Sequence, residues 1–340
     1  MVNSCSFHEN QFDTSQGEIS RPLVSVIVPV YKVEEFLSRC LDSLCRQSLE
    51  EIEIILINDA SPDRCGEICE QYAAKDTRFK VIYHTENRGL SAARNTGIRQ
   101  ASANYLMFLD SDDWVHEDFC KAPYECAVNH HADMVMFGYQ SIRKHLISGD
   151  MVTAVGTDVP AGYKTKEEAV NLLFNDSGNY CWNKFYRKSL FHDIYFPDGH
   201  LYEDIGTIYK VVWNAQNIYY LPKSLYNYFS RTGSITATHS SQTGSEWLAM
   251  YHQMLQDLSA WGYPAENLAP YYIKYALSYC ITFGSGVAKI KIPVLMNRLR
   301  QYKTIPKEFT WKEKILFIML NCFPPLFDVV CNLWRKMNER

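Results

Sequence analysis

The chain predicts an α/β fold, a doubly wound, mostly parallel sheet flanked by helices and followed by a helical C-terminal extension. Two observations carry this prediction. From Leu23 to about residue 140, short apolar runs alternate with amphipathic stretches, the pattern of strands buried between helices. From Glu246 onward, apolar residues recur at helical spacing.

Val24–Val28 is the first strand, and Glu34–Arg46 is a helix with Phe36, Leu37, Cys40, Leu41 and Leu44 on one face. Ile52–Ile57 is the second strand, followed by a helix over about 65–75. Phe79–Tyr83, Tyr105–Leu109 and Asp133–Tyr139 are further strands, with a helix over Ser91–Ala101. The pattern loosens over 141–165, an irregular connection or a hairpin, before a helix at about 166–175. Residues 180–235 mix short strands with loops rich in Tyr, Trp and Asn. Helices are expected at about 246–260, 266–283 and 287–302. The domain plan is a disordered lead-in at 1–20, a main domain over 21–240 with halves at 21–140 and 141–240, a helical extension over 241–310 and a terminal helix in 311–340.

Bulk properties exclude some classes. The 340 residues are 47% hydrophobic and 21% charged, ordinary for a folded protein. A net charge of −4 gives no basic excess of the kind nucleic-acid binding requires. The 11 cysteines form no CxxC pair, so zinc and thioredoxin-like motifs are not indicated. Cys40 and Cys45 read as small core residues, and a reduced cytosolic compartment fits them. The first 20 residues lack an apolar core of the signal-peptide kind. Ile315–Trp334 holds 15 apolar residues in 20, interrupted by Pro324, Pro325 and Asp328 and flanked by Lys312, Lys314, Arg335 and Lys336. Asn321, Asp328 and Asn332 share one stripe if the helix is continuous. An amphipathic helix lying on a membrane surface is expected there, rather than one crossing it; the alternative is a helix packed on the domain.

The chemistry gathers at strand ends. LDSDD at 109–113 crowds Asp110, Asp112 and Asp113 at the end of an apolar run. Crowded carboxylates raise each other's cost of ionising, and a hard divalent cation removes that cost. SVIVPVYK (25–32), INDASPD (57–63) and ENRGLSAARNTGI (86–98) also follow strands, at the edge where open α/β sheets bind ligands. LYEDIGT (201–207) adds an acidic pair downstream. Asp113 reads as the N-cap of a following helix. Ala92, Ala93 and Gly97 allow close approach of their helix to the sheet.

These blocks, with WNKFYRKSLF (182–191), YED (202–204) and RTGSI (231–235), resemble bacterial family 2 glycosyltransferases of the GT-A fold, similar to capsular and exopolysaccharide enzymes. The resemblance implies a nucleotide-binding half over 21–140, an acceptor half over 141–240 and a UDP-sugar donor. Pro29, Val30 and Tyr31 would floor the base, and Asp59 would accept the uracil N3–H. The position before it is Asn58 where the family often has an acid. Arg88 and Arg94 would contact base or diphosphate, with Arg94 alternatively a buried partner of the DxD acids. Asp110 and Ser111 would contact the nucleotide-sugar, and Asp112 with Asp110 would hold Mg²⁺ or Mn²⁺, with His239 a possible further ligand. Asp204, beside Glu203, would be the base of an inverting displacement. Trp182, Lys184, Glu203 and Arg231 would serve the acceptor and diphosphate, with Trp182 alternatively filling the core. The acceptor would be a glycan, free or lipid-linked, in cell-surface polysaccharide synthesis at the cytoplasmic face of the membrane. The competing classes are a nucleotidyltransferase acting on sugar phosphates, which would be expected to carry a Gly-rich basic loop after the first strand, and a non-catalytic nucleotide-sugar-binding protein.

Overall fold

The computed structural model describes residues 21–143, 151–174, 178–230, 241–283, 311–322 and 324–338. The chain opens with β1 (Val24–Val30), α1 (Glu34–Cys45), β2 (Ile52–Asn58), α2 (Cys65–Lys75), β3 (Phe79–Tyr83), α3 (Gly89–Gln100) and β4 (Tyr105–Phe108). There follow β5 (Trp114–Val115), α4 (Lys121–Asn129), β6 (Met134–Arg143), β7 (Met151–Val155), β8 (Gly162–Lys164), α5 (Lys166–Phe174) and β9 (Lys184–Arg187). The last elements are α6 (Glu203–Asn214), β10 (Ile218–Ser230), α7 (Ser241–Ala260), α8 (Ala265–Phe283), α9 (Trp311–Cys322) and α10 (Pro324–Asn338).

One sheet runs in the order β3-β2-β1-β4-β9-β6-β10-β5, with β7 on β6 and β8 on β10. The pairs β1–β2, β1–β4, β2–β3 and β6–β10 are parallel. Strand β9 runs antiparallel between β4 and β6. Strands β1 to β4, β6 and β10 therefore all end on one edge, and β9 begins there.

Alternate side chains of β1 build two cores. Val24, Val26, Val28 and Val30 pack with Leu37 and Leu41 of α1 and Cys69 of α2. Ile27 points the other way, into a cluster with Ala93 and Ile98 of α3, Ile208 of α6 and Leu255 of α7. A Cβ added at Gly97 would lie 2.3 Å from Ile27 Cγ2, so α3 rests on the sheet through its small residues, as expected.

Several expectations need correction. The 141–165 region is not among them: β7 pairs antiparallel with β6, the hairpin that was one of its two expected forms. Helix α6 falls in the 180–235 stretch, where short strands and loops were expected. Within α6, Ile205, Ile208, Val211 and Val212 are buried at helical spacing, yet β-branched residues of this kind suggest strand until tertiary packing overrides them. Asp113 caps no helix, because the chain passes into β5 and α4 starts only at Lys121. Cys40 is buried but Cys45 is exposed. The terminal segment is two helices rather than one, with Pro324 opening the second, the position proline tolerates best. Asn321 therefore belongs to a different helix from Asp328 and Asn332. The expected lead-in (1–20) and the helix at 287–302 lie outside the described residues.

At the opposite edge of the sheet, Glu53 of β2 accepts hydrogen bonds from Ser25 Oγ (2.6 Å), Ser102 N–H (2.6 Å) and Lys80 Nζ (2.6 Å). Burial pushes its carboxyl up, but these donors outweigh burial and bring it down to about 2. A folded-state value below the unfolded one stabilises the fold above the unfolded value of 4.5, and that stability is lost as pH falls towards 2. Glu53→Gln is expected to lose about 2 kcal/mol at pH 7, read as a lower urea midpoint. The difference from the parent should shrink as pH falls from 5 to 3.

Candidate active site

The β1–β2 ladder continues to Val30 opposite Asn58, whereas the β1–β4 ladder stops at Ile27 opposite Phe108. A final bond runs from Leu109 N–H to Ile27 C=O (3.0 Å), after which β4 leaves. A crevice opens at the point where strand order reverses about β1, the place where such sheets bind ligands. Pro29 faces this gap, so its missing N–H removes no ladder bond. Lys32, Ala60 and Tyr202 all adopt φ near +53° to +60°. Non-glycine residues rarely do so, and such strain gathers at functional loops. These three lie after β1, after β2 and just before Glu203.

The DxD turn is held from several sides. Arg39 of α1 donates to the Asp112 carbonyl (2.8 Å) and sits between the Trp114 and Phe229 rings, 3.8 and 4.6 Å from their centroids. The Tyr226 hydroxyl accepts from Asp110 N–H (3.2 Å) and donates to Asp113 Oδ2 (2.6 Å). Asp113 Oδ1 also accepts Phe229 N–H (2.7 Å). Burial first, then Asp112 and Asp110, holds the Asp113 carboxyl well above the usual range. Asp113 therefore anchors the turn from beneath. Asp110 and Asp112 stay partly exposed, while Ser111 between them is buried.

The centre of the site is Arg94. Its side chain is 1% exposed, and it donates to Asp110 Oδ1 (2.8 Å), Glu203 Oε1 (2.5 Å) and Asp204 Oδ1 (2.9 Å). The other Asp204 oxygen accepts Cys181 N–H (3.2 Å). One guanidinium fork thus joins the DxD turn to an acidic pair far away in sequence. Of its two expected roles, Arg94 takes that of a buried partner of these acids. Burial raises the Glu203 and Asp204 carboxyls above their ordinary range, and Arg94 opposes the rise. Asp110 and Asp204 keep side-chain exposures of 26% and 15%, so both reach the crevice.

Asp59 has a different task from the one expected. Its side chain is buried, accepting Arg88 N–H (2.9 Å) at Oδ1 and Gly89 N–H (2.8 Å) at Oδ2, and it contacts His84 Nδ1 (2.6 Å). It satisfies the orphan amides at the start of α3, where Gly89 has φ +84°, and its side chain is only 3% exposed. Asn58 is also structural, its Oδ1 accepting Ser61 N–H (2.8 Å). Pro29 and Val30 are buried, leaving the exposed Tyr31 ring as the surface available to a base. Arg88 is exposed at the mouth of the crevice.

On the acceptor side, Trp182 takes the core position that was one of its two expected roles, and Lys184 departs from its expected one. Trp182 is buried in an aromatic column, stacked on Tyr226 (4.1 Å) and Tyr180 (4.7 Å). Lys184 is fully buried and donates to the carbonyls of Gly178 (2.5 Å) and Tyr180 (2.6 Å) and to Asn183 Oδ1 (2.7 Å). It braces the 178–183 loop that presents Cys181 N–H to Asp204, and holds no phosphate. Burial lowers its ammonium to about 7. Arg231 and His239 lie outside the described residues. Arg39, His84 and Tyr226 were not foreseen. Of these, only His84 carried a signal, since it follows β3 at the same edge.

The sheet is GT-A-like, with Asp110, Asp112 and the Glu203–Asp204 pair near its carboxyl edge. The model for "Glycosyl transferase family 2" matches residues 25–195. Over 240 residues, covering 68% of this chain and 68% of the relative, it is 37% identical to the uncharacterized glycosyltransferase EpsJ of Bacillus subtilis (strain 168). Over 276 residues it is 36% identical to glycosyltransferase GlyA of Streptococcus pneumoniae serotype 4, covering 78% of this chain but only 39% of GlyA. The crystal structure of S. aureus TarS 1-349 in complex with UDP-GlcNAc aligns with TM-score 0.62 at 22% identity, over 93% of this chain and 89% of TarS 1-349. The chain belongs to glycosyl transferase family 2 and is a glycosyltransferase. The nucleotidyltransferase and non-catalytic readings fall away.

Proposed function

We propose that the chain moves a sugar from a UDP-sugar to a hydroxyl of a glycan acceptor, with inversion at the anomeric carbon and with help from a divalent cation. The observation that carries this reading is the Arg94 fork, which sets Asp204 beside the DxD turn. Asp204 takes the acceptor proton as the hydroxyl attacks. It is 15% exposed, and its two oxygens retain lone pairs beyond those given to Arg94 and Cys181 N–H. A single base and a direct attack give inversion. The base packs on Tyr31, and Arg88 faces the diphosphate. The UDP-GlcNAc bound to TarS supports a uridine donor.

The donor set suits Mg²⁺ or Mn²⁺. Asp110 and Asp112 are hard oxygen ligands at the mouth, and such ions are held by one or two carboxylates together with substrate phosphates and water. A bound ion would stabilise the charge developing on the departing diphosphate. Asp112→Asn is expected to lower kcat at least 100-fold, with most of the loss appearing as a weaker Mn²⁺ requirement curve. UDP release from a panel of nucleotide sugars, with Mn²⁺ or EDTA, checks this. Full activity in EDTA would remove the cation from the reading. The family's bacterial relatives support an acceptor in surface polysaccharide synthesis.

A further inference from the structure

The terminal helices are apolar on two sides. Phe317 and Leu320 of α9 and Phe327 and Cys331 of α10 are buried against Ile273, Ala276, Leu277 and Cys280 of α8. On the other side, Ile315 and Ile318 of α9 and Leu326, Val329 and Leu333 of α10 are 41–56% exposed. The spacing 326, 329, 333 is one helical stripe, centred well away from Phe327 and Cys331. A helix in water normally turns charged residues to that side. Neither helix is long and apolar enough to cross a bilayer.

Along the sequence, basic charge gathers towards the C-terminus. Residues 284–340 carry 11 Lys and Arg against 4 Asp and Glu, a net +7, whereas the whole chain is −4, so residues 1–283 carry −11. A basic segment bearing outward apolar stripes matches a surface that is anionic outside and apolar beneath.

We propose that the stripe formed by Leu326, Val329 and Leu333, with Ile315 and Ile318, seats in the interface of an anionic phospholipid bilayer. The apolar side chains enter the acyl boundary while Lys and Arg of the C-terminal 57 residues draw the protein to the headgroups. The helices lie along the surface and stay packed on α8. This surface stands independently of the donor and cation reading above.

The test is flotation of the full chain with vesicles of phosphatidylglycerol and phosphatidylcholine, compared with phosphatidylcholine alone, at 0.1 and 0.5 M NaCl. The expected result is partitioning onto the anionic vesicles, at least fivefold weaker on neutral ones and weaker at the higher salt. The triple variant Leu326→Glu, Val329→Glu, Leu333→Glu should partition at least tenfold less with an unchanged circular dichroism spectrum and unchanged turnover of a soluble acceptor. Because the three residues are exposed, the fold should tolerate the change; Leu326→Ser, Val329→Ser, Leu333→Ser, which adds no charge, should also bind less. Wild-type protein that stays in the aqueous phase would overturn the proposal. Equal partitioning of both variants and wild type would do the same, as would a dimer seen by light scattering that the variants dissociate without any vesicle binding.

Discussion

Asp204→Asn is expected to lower kcat by about 10³-fold, within the range a positioned general base contributes, while UDP affinity changes by less than threefold. Asparagine preserves volume but cannot take the acceptor proton. It also places an NH₂ group against one of two donors, Arg94 or Cys181 N–H, at a cost of about 1–3 kcal/mol for the lost bond. A urea titration separates that cost from the catalytic loss, because the fold should survive it. The pH profile carries the same signature. Burial raises the Asp204 and Glu203 carboxyls, so the pair binds protons in the folded state above the usual carboxylate range. Stability from that proton uptake is present at low pH and is lost as pH rises through the folded values, while turnover rises over the same interval as the base is freed. A kcat that is flat from pH 5 to 8 in the parent would contradict this assignment.

Arg94→Met is expected to give the largest loss of stability, about 3–5 kcal/mol, the usual consequence of leaving buried charge unpaired. Three carboxylates converge on this guanidinium, and methionine replaces its bulk but none of its donors. Transfer should fall at least 100-fold, because the DxD turn and the base lose their common brace. Arg94→Lys should recover part of the stability and little of the turnover, since an ammonium cannot span three acids as the planar fork does. Urea midpoints and steady-state rates for both variants check this. Turnover in Arg94→Lys within threefold of the parent would show that the fork geometry is unnecessary.

The strands of the first half were legible because each is a short apolar run closed by polar residues such as Lys32, Asp59, His84 and Asp110, and parallel pairing puts all their ends on one edge. That reasoning put Asp59, Arg88, Arg94, Asp110 and Asp112 at one edge, whereas the 201–207 acids were linked to them only through the family resemblance. The division of labour among charged residues was not legible, because it depends on which side chains are sealed. Asp59 and Arg94 stand in motifs that suggest ligand contact, yet both are buried and committed to protein partners. Trp182 and Lys184 show the same effect, since an aromatic or a cation in a loop looks available until the fold stacks it on Tyr226 or caps it with carbonyls. Tyr226 and Arg39 act on the DxD turn from elements more than 70 residues away, a distance no local pattern spans. Helix α6 was hidden by its β-branched composition, which only its packing against α7 resolves.

The central claim is that Asp204 and the DxD turn form one inverting transfer site. Its most direct measurement follows a single turnover of the wild-type chain with Mn²⁺ and an α-linked UDP-sugar, reading the anomeric proton of the product by NMR. The expected product is β-linked, and none should form with Asp204→Asn under the same conditions. An α-linked product, or turnover in Asp204→Asn within tenfold of wild type, would contradict it.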